Sequence, residues 1–203
     1  METNTKQKEQ ITVEKGIYRQ TTSPNAFLVT TGLESCVGIG FVSTLNNNKK
    51  IGLSHLFYDG TVEYKGEEAK LIKDDIIRVD NEIEDLIYSF TNVGGEIPLE
   101  KISAYVIANR INTRKVKGTE KIENFNLMSE YILNTLNALK KQGLNVYLDL
   151  ETECKKFGAM NTRLHKIHWK DVIIRPEEVK IIYRDSKDII LNQKIFTPNL
   201  ITQ

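Results

Sequence analysis

The chain has 203 residues, 40% of them hydrophobic, and its 28 Lys and Arg nearly balance 27 Asp and Glu, for a net charge of +1. At roughly 150 residues per domain, this length predicts a single domain with a real core. The near-neutral charge argues against a broad electrostatic grip on nucleic acid or an anionic membrane surface. No apolar run approaches the roughly 20 residues that span a bilayer, so no membrane insertion is expected.

In chain order, Met1–Gln10 is polar and lacks the apolar stretch of a secretory signal, and it reads as a disordered lead-in. Residues 11–192 read as one domain and residues 193–203 as a C-terminal tail. Ala26–Val29, Cys36–Val42 and Ile51–Leu56 are short, apolar and β-branched, which predicts three strands, the last two forming a hairpin around the Asn46-Asn47-Asn48 turn. Asp59–Lys73 is charged and reads as an exposed loop with room for a small hairpin. Apolar residues spaced by three and four predict helices over Ile76–Phe90 and Asn126–Gln142, the second stopped by Gly143. Each helix is followed by an apolar strand, Ile102–Ala108 and Asn145–Leu150. Further strands are expected at Asp171–Ile174, Val179–Tyr183 and Ile189–Leu191. The order predicts an α/β or α+β fold, a mixed β-sheet sandwich flanked by helices.

The two cysteines, Cys36 and Cys154, lie far apart and spell neither a disulfide framework nor a zinc array, which predicts folding in a reducing cytosol. Cys36 stands between a turn-like segment and an apolar strand, and His55 ends the partner strand, so hairpin pairing brings thiol and imidazole to one end. An imidazole near a thiol can accept its proton and make it a nucleophile. Against this stand two plain readings: a free cysteine in an apolar strand packs as a small hydrophobe, and a strand histidine as a hydrogen-bonded core residue. Cys154 lies among charges with no partner signature. His165 and His168 form an H-x-x-H spacing with no third ligand nearby, so no metal is expected. Arg110, Arg114, Lys115 and Lys117 make a small basic loop, and Gly94-Gly95 is a turn rather than a nucleotide cradle.

The string Leu28–Phe41 (LVTTGLESCVGIGF), followed by Lys50–Leu56 (KIGLSHL), resembles the signature of the CheD family of chemoreceptor glutamine deamidases. The same Thr, Cys and His pattern is shared by Burkholderia lethal factor and the catalytic domains of cytotoxic necrotizing factors. The resemblance implies a CheD-like layered fold and a protein-glutamine deamidase, with Cys36 as nucleophile, His55 as general base and Thr30 as the third member. It implies no cofactor. Its partners would be a protein bearing an exposed glutamine, either a chemoreceptor or a host protein, and a chemotaxis phosphatase. The setting would be the bacterial cytoplasm, or the host cytosol after delivery as an effector. Two positions differ from the family pattern: Glu34 stands where the family has glycine, and Ala108–Asn112 replaces a Gly-Gly-Ala string. A CheD-like binding module without turnover is the alternative reading, and a cysteine protease or transglutaminase would use similar atoms.

Overall fold

The computed structural model describes residues 8–34, 36–43, 45, 49–57, 62–65, 68–71, 73–92, 96–108, 114–115, 122–123, 127–149 and 167–198. Fourteen strands, two α-helices and one short 3-10 helix (Leu99–Lys101) follow one another among them. They are β1 (Glu9–Thr12), β2 (Tyr18–Thr21), β3 (Ala26–Leu33), β4 (Val37–Ser43), β5 (Lys50–Leu56), β6 (Val62–Lys65), β7 (Glu68–Leu71) and helix α1 (Lys73–Asn92). Then come β8 (Ile102–Ala108), β9 (Arg114–Lys115), β10 (Ile122–Glu123), helix α2 (Leu127–Lys141), β11 (Asn145–Asp149), β12 (Trp169–Ile174), β13 (Val179–Arg184) and β14 (Ile190–Phe196).

Two five-stranded sheets stack face to face, the first in the order β1-β3-β12-β13-β14 and the second in the order β11-β8-β4-β5-β2. Both are mixed: β1 runs parallel to β3 and β11 parallel to β8, and the other pairs are antiparallel. The fold is therefore the expected α+β layered sandwich. β6 and β7 form a separate hairpin within the expected loop.

Strands β4 and β5 are buried along their whole length, because each has a hydrophobic layer on both faces. On one face Val37, Ile39 and Phe41 meet Val79, Ile83, Ile87 and Phe90 of α1 and Tyr131, Ile132 and Leu139 of α2. The other face packs on the first sheet through Leu28, Leu33, Val42, Leu53, Val172, Ile174 and Ile181. Glycines set how closely the sheets approach. A Cβ built at Gly40 would lie 2.3 Å from Ile174 Cδ1, and one at Gly38 would lie 2.8 Å from Leu33 Cδ1. Gly143, with φ +77°, ends α2, and its N–H donates to the Lys140 carbonyl.

The ends of the fold run further than the composition indicates. Glu9 and Gln10 belong to β1, and Gln193–Phe196 belong to β14. β1 and β2 are short sheet-edge strands of mostly polar residues, which carry little hydrophobic alternation to read.

Candidate functional site

In the β4–β5 ladder Gly38 stands opposite His55, and Val37 opposite Leu56. Alternate residues share a face, so Cys36, two before Gly38, lies on the His55 face, and Gly38 puts no side chain between them. Diagonal neighbours of this kind are about 7–8 Å apart, a span that an aromatic side chain such as the imidazole can bridge. Both point into the space between the sheets, where Cys36 is 4% and His55 5% exposed.

Thr30 reaches His55 from the opposite sheet. Its Oγ1 lies 2.8 Å from His55 Nδ1 and 2.7 Å from the Val13 carbonyl. A hydroxyl has a single proton, and a carbonyl can only accept, so Thr30 donates to Val13 and accepts from His55. Nδ1 then carries the imidazole proton and Nε2 the lone pair. Nε2 is buried and has no hydrogen-bond partner among the described residues. Burial, and secondarily the positive charge of Lys15, lowers the His55 pKa from its usual 6.5, so the ring is neutral at pH 7. Sequence reasoning missed Val13–Ile17, the segment that cradles this histidine. The Gly16 N–H donates to the His55 carbonyl at 2.7 Å, and the His55 N–H donates to the Ile17 carbonyl at 3.1 Å. Lys15 Nζ sits 3.3 Å from the Phe57 ring centroid.

Other polar residues gather at the same end of the sandwich. Here the carboxyl ends of β5, β8 and β11 lie together with the start of β4, since Val37 pairs with Ala108 and Asp149 with Ile107. Lys170 is fully buried and donates to the Ala108 carbonyl at 2.6 Å, the Asp149 carbonyl at 3.1 Å and Asp149 Oδ2 at 2.9 Å. Tyr183 Oη and Lys194 Nζ donate to Asp149 Oδ1 at 3.0 and 3.1 Å. Nothing in the sequence distinguishes this lysine and aspartate from surface charges.

Of the weaker candidates, His168 Nε2 lies 3.3 Å from Glu34 Oε1, so the carboxylate two residues before Cys36 is exposed and occupied. His165, Cys154, Gly94-Gly95 and Asn109–Asn112 lie outside the described residues, as do the side chains of Arg114 and Lys115. Among the described residues, no group of three or more His, Cys, Asp or Glu could hold a metal, and no helix is long and apolar enough to cross a membrane.

No family model and no curated protein matches the chain. Solved structures that match the chain include a Neisseria meningitidis protein of the DUF152 family, with TM-score 0.36 and 8% identity, covering 64% of this chain and 51% of its own. A Bacillus licheniformis hypothetical protein, YfiH, has TM-score 0.41 and 14% identity over 77% of this chain and 60% of its own. The chain thus spans between half and two thirds of their length, and likenesses this distant assign no activity. Neither is a CheD-type deamidase, and the resemblance to CheD is not supported. Protein-glutamine deamidation and the chemotaxis, toxin and effector roles that followed from it are withdrawn, together with the CheD-like binding module. The physical reason lies in the string itself. Gly38 and Gly40 face the side-chain tips of Leu33 and Ile174 where two sheets pack closely, and Thr30 ties the sheets together, so these small residues have packing roles and identify no substrate.

Proposed function

We propose that Cys36, His55 and Thr30 form a thiol–imidazole centre for acyl transfer on a small carbonyl compound. The observation that carries this reading is the buried Nε2 of His55, without a hydrogen-bond partner among the described residues, on the strand face it shares with Cys36. A buried acceptor without a partner costs stability, and use as a proton acceptor in catalysis is one reason for a protein to keep it. The low exposure of both side chains suits a narrow electrophile.

In the reaction, Nε2 takes the thiol proton as Cys36 Sγ attacks the carbonyl carbon and the carbonyl π pair moves to oxygen. Collapse of the adduct expels the leaving group, which takes the proton from Nε2 and leaves a thioester on Cys36. Water then attacks the thioester, giving its proton to Nε2, and the thiol returns with that proton as the carboxylic acid departs. Thr30 keeps the Nδ1 proton in place throughout, so that Nε2 stays the acceptor.

The test is incubation with p-nitrophenyl acetate, following nitrophenol release and locating the acetyl group by peptide mass spectrometry. The acetyl group is expected on Cys36, and Cys36→Ala is expected to lower release by about three orders of magnitude or more, as nucleophile removal does elsewhere. Acetylation confined to other residues, or a Cys36 rate indifferent to His55→Ala, overturns the reading.

A further inference from the structure

The turn from β3 to β4, which carries Cys36, is where the first sheet hands the chain to the second. The ladder is broken there. Thr30 pairs with Val172 and Leu33 with Lys170, so Thr31 and Gly32 together oppose Asp171 alone. Such a bulge removes the regular backbone partner of a strand residue. Gly32 adopts φ +71°, a left-handed conformation that favours glycine. Its N–H donates instead to Asp171 Oδ1 at 3.1 Å, while its carbonyl accepts from the Glu34 N–H at 2.8 Å.

Asp171 is itself held. Arg184 Nε donates to Asp171 Oδ2 at 2.5 Å, and Arg184 Nη1 donates to the Asp188 carbonyl at 3.0 Å. Each carboxylate oxygen has one task, one toward the turn and one toward the arginine. His168, three residues earlier, meets Glu34 on the far side of the same turn.

We infer that Asp171, braced by Arg184, is a positioning residue for Cys36, through the hydrogen bond that fixes Gly32 and with it Leu33 and Glu34, the residues that lead to Cys36. This rests on the acyl-transfer reading of Cys36 for its consequence, and on the hydrogen bonds alone for its mechanics. An exposed bulge with a glycine in the left-handed region samples other conformations when its N–H has no acceptor. A thiol aimed by such a turn loses its register with His55.

Two measurements on full-length protein test the two parts separately. Iodoacetamide labelling of Cys36 reads how firmly the turn encloses the thiol. Asp171→Ala is expected to speed it about tenfold or more, whereas Asp171→Asn, which keeps an acceptor oxygen for Gly32, is expected to stay within about threefold of wild type. Acetylation of Cys36 by p-nitrophenyl acetate reads the aim of the thiol. Asp171→Ala is expected to slow it about tenfold or more, with its pH midpoint unchanged and Asp171→Asn again near wild type. Where Asp171→Ala does not fold, Arg184→Met frees one carboxylate oxygen only and is expected to move both rates the same way by less. Labelling and acetylation that stay at wild-type rates per folded molecule in these variants overturn the inference, even if melting temperatures fall. A wild type that is never acetylated, with labelling still accelerated by Asp171→Ala, overturns the acyl-transfer reading and leaves the hold on the turn standing.

Discussion

The space between the two sheets holds two polar clusters, and they differ in completeness. Around Asp149, each carboxylate oxygen and the Lys170 ammonium meet good acceptors or donors, with Ala108, Tyr183 and Lys194 completing the set. Around His55, Thr30 and Val13 satisfy one side of the ring, and Nε2 keeps its lone pair with no partner among the described residues. A complete buried network rigidifies a fold, while an incomplete one carries a cost that a catalytic role can explain. The comparison separates a clamp from the proposed site, although both are buried and both sit at one end of the sandwich.

The largest expected effect that tests the difference falls on the clamp. Lys170→Met strips Asp149 of its buried partner and is expected to cost about 3–5 kcal/mol, read by chemical denaturation. A loss below about 1 kcal/mol would show that Lys194 alone compensates the carboxylate, and the two clusters would no longer be distinct in kind.

Next comes the histidine's support. Thr30→Val leaves Nδ1–H and the Val13 carbonyl buried without each other's intermediary, at an expected cost of about 1–3 kcal/mol. Thr30→Ser is expected to restore most of it. Nitrogen-15 chemical shifts of His55 check the assignment directly: the proton on Nδ1 in wild type, and a mixed tautomer in Thr30→Val. A wild-type ring protonated on Nε2 would remove the base from the site.

The smallest effect is the pH dependence. A lowered His55 pKa means that the unfolded chain binds this proton before the folded one does, so the unfolding free energy rises with pH in that window. Stability from this group is intact above pH 6.5 and is lost as pH falls from 6.5 toward the lower folded-state value. The acid limb of the acetylation rate should lie in the same range, below 6.5, because only neutral His55 accepts the proton. Lys15→Gln removes the nearby charge while leaving burial, the larger cause, in place. It is expected to move that limb upward by a fraction of a unit. No movement would mean that burial alone sets the value.

Much of the architecture was legible in local pattern. Residues spaced by three and four along α1 and α2, and the apolar runs of β3, β4, β5, β8 and β13, announce elements whose burial demands that periodicity. Cys36 and His55 were legible as a pair because hairpin pairing follows from two strands and a short polar linker. β1 and β2 were not, since mostly polar strands at sheet edges carry no strong alternation.

The sequence by itself determined the layered class, both α-helices and the apolar strands, and it singled out Cys36 and His55 as a candidate pair. These are consequences of local periodicity and of residue type. Only the tertiary structure decided which nitrogen of His55 is free, because the Val13 carbonyl that settles it is 17 positions from Thr30 and reaches it across a parallel strand pair. It also decided that Lys170 and Asp149 are interior while Glu34 is surface. An ion's depth depends on which strands pair, and that pairing joins residues as distant as Gly32 and Asp171, which no local window of the sequence contains.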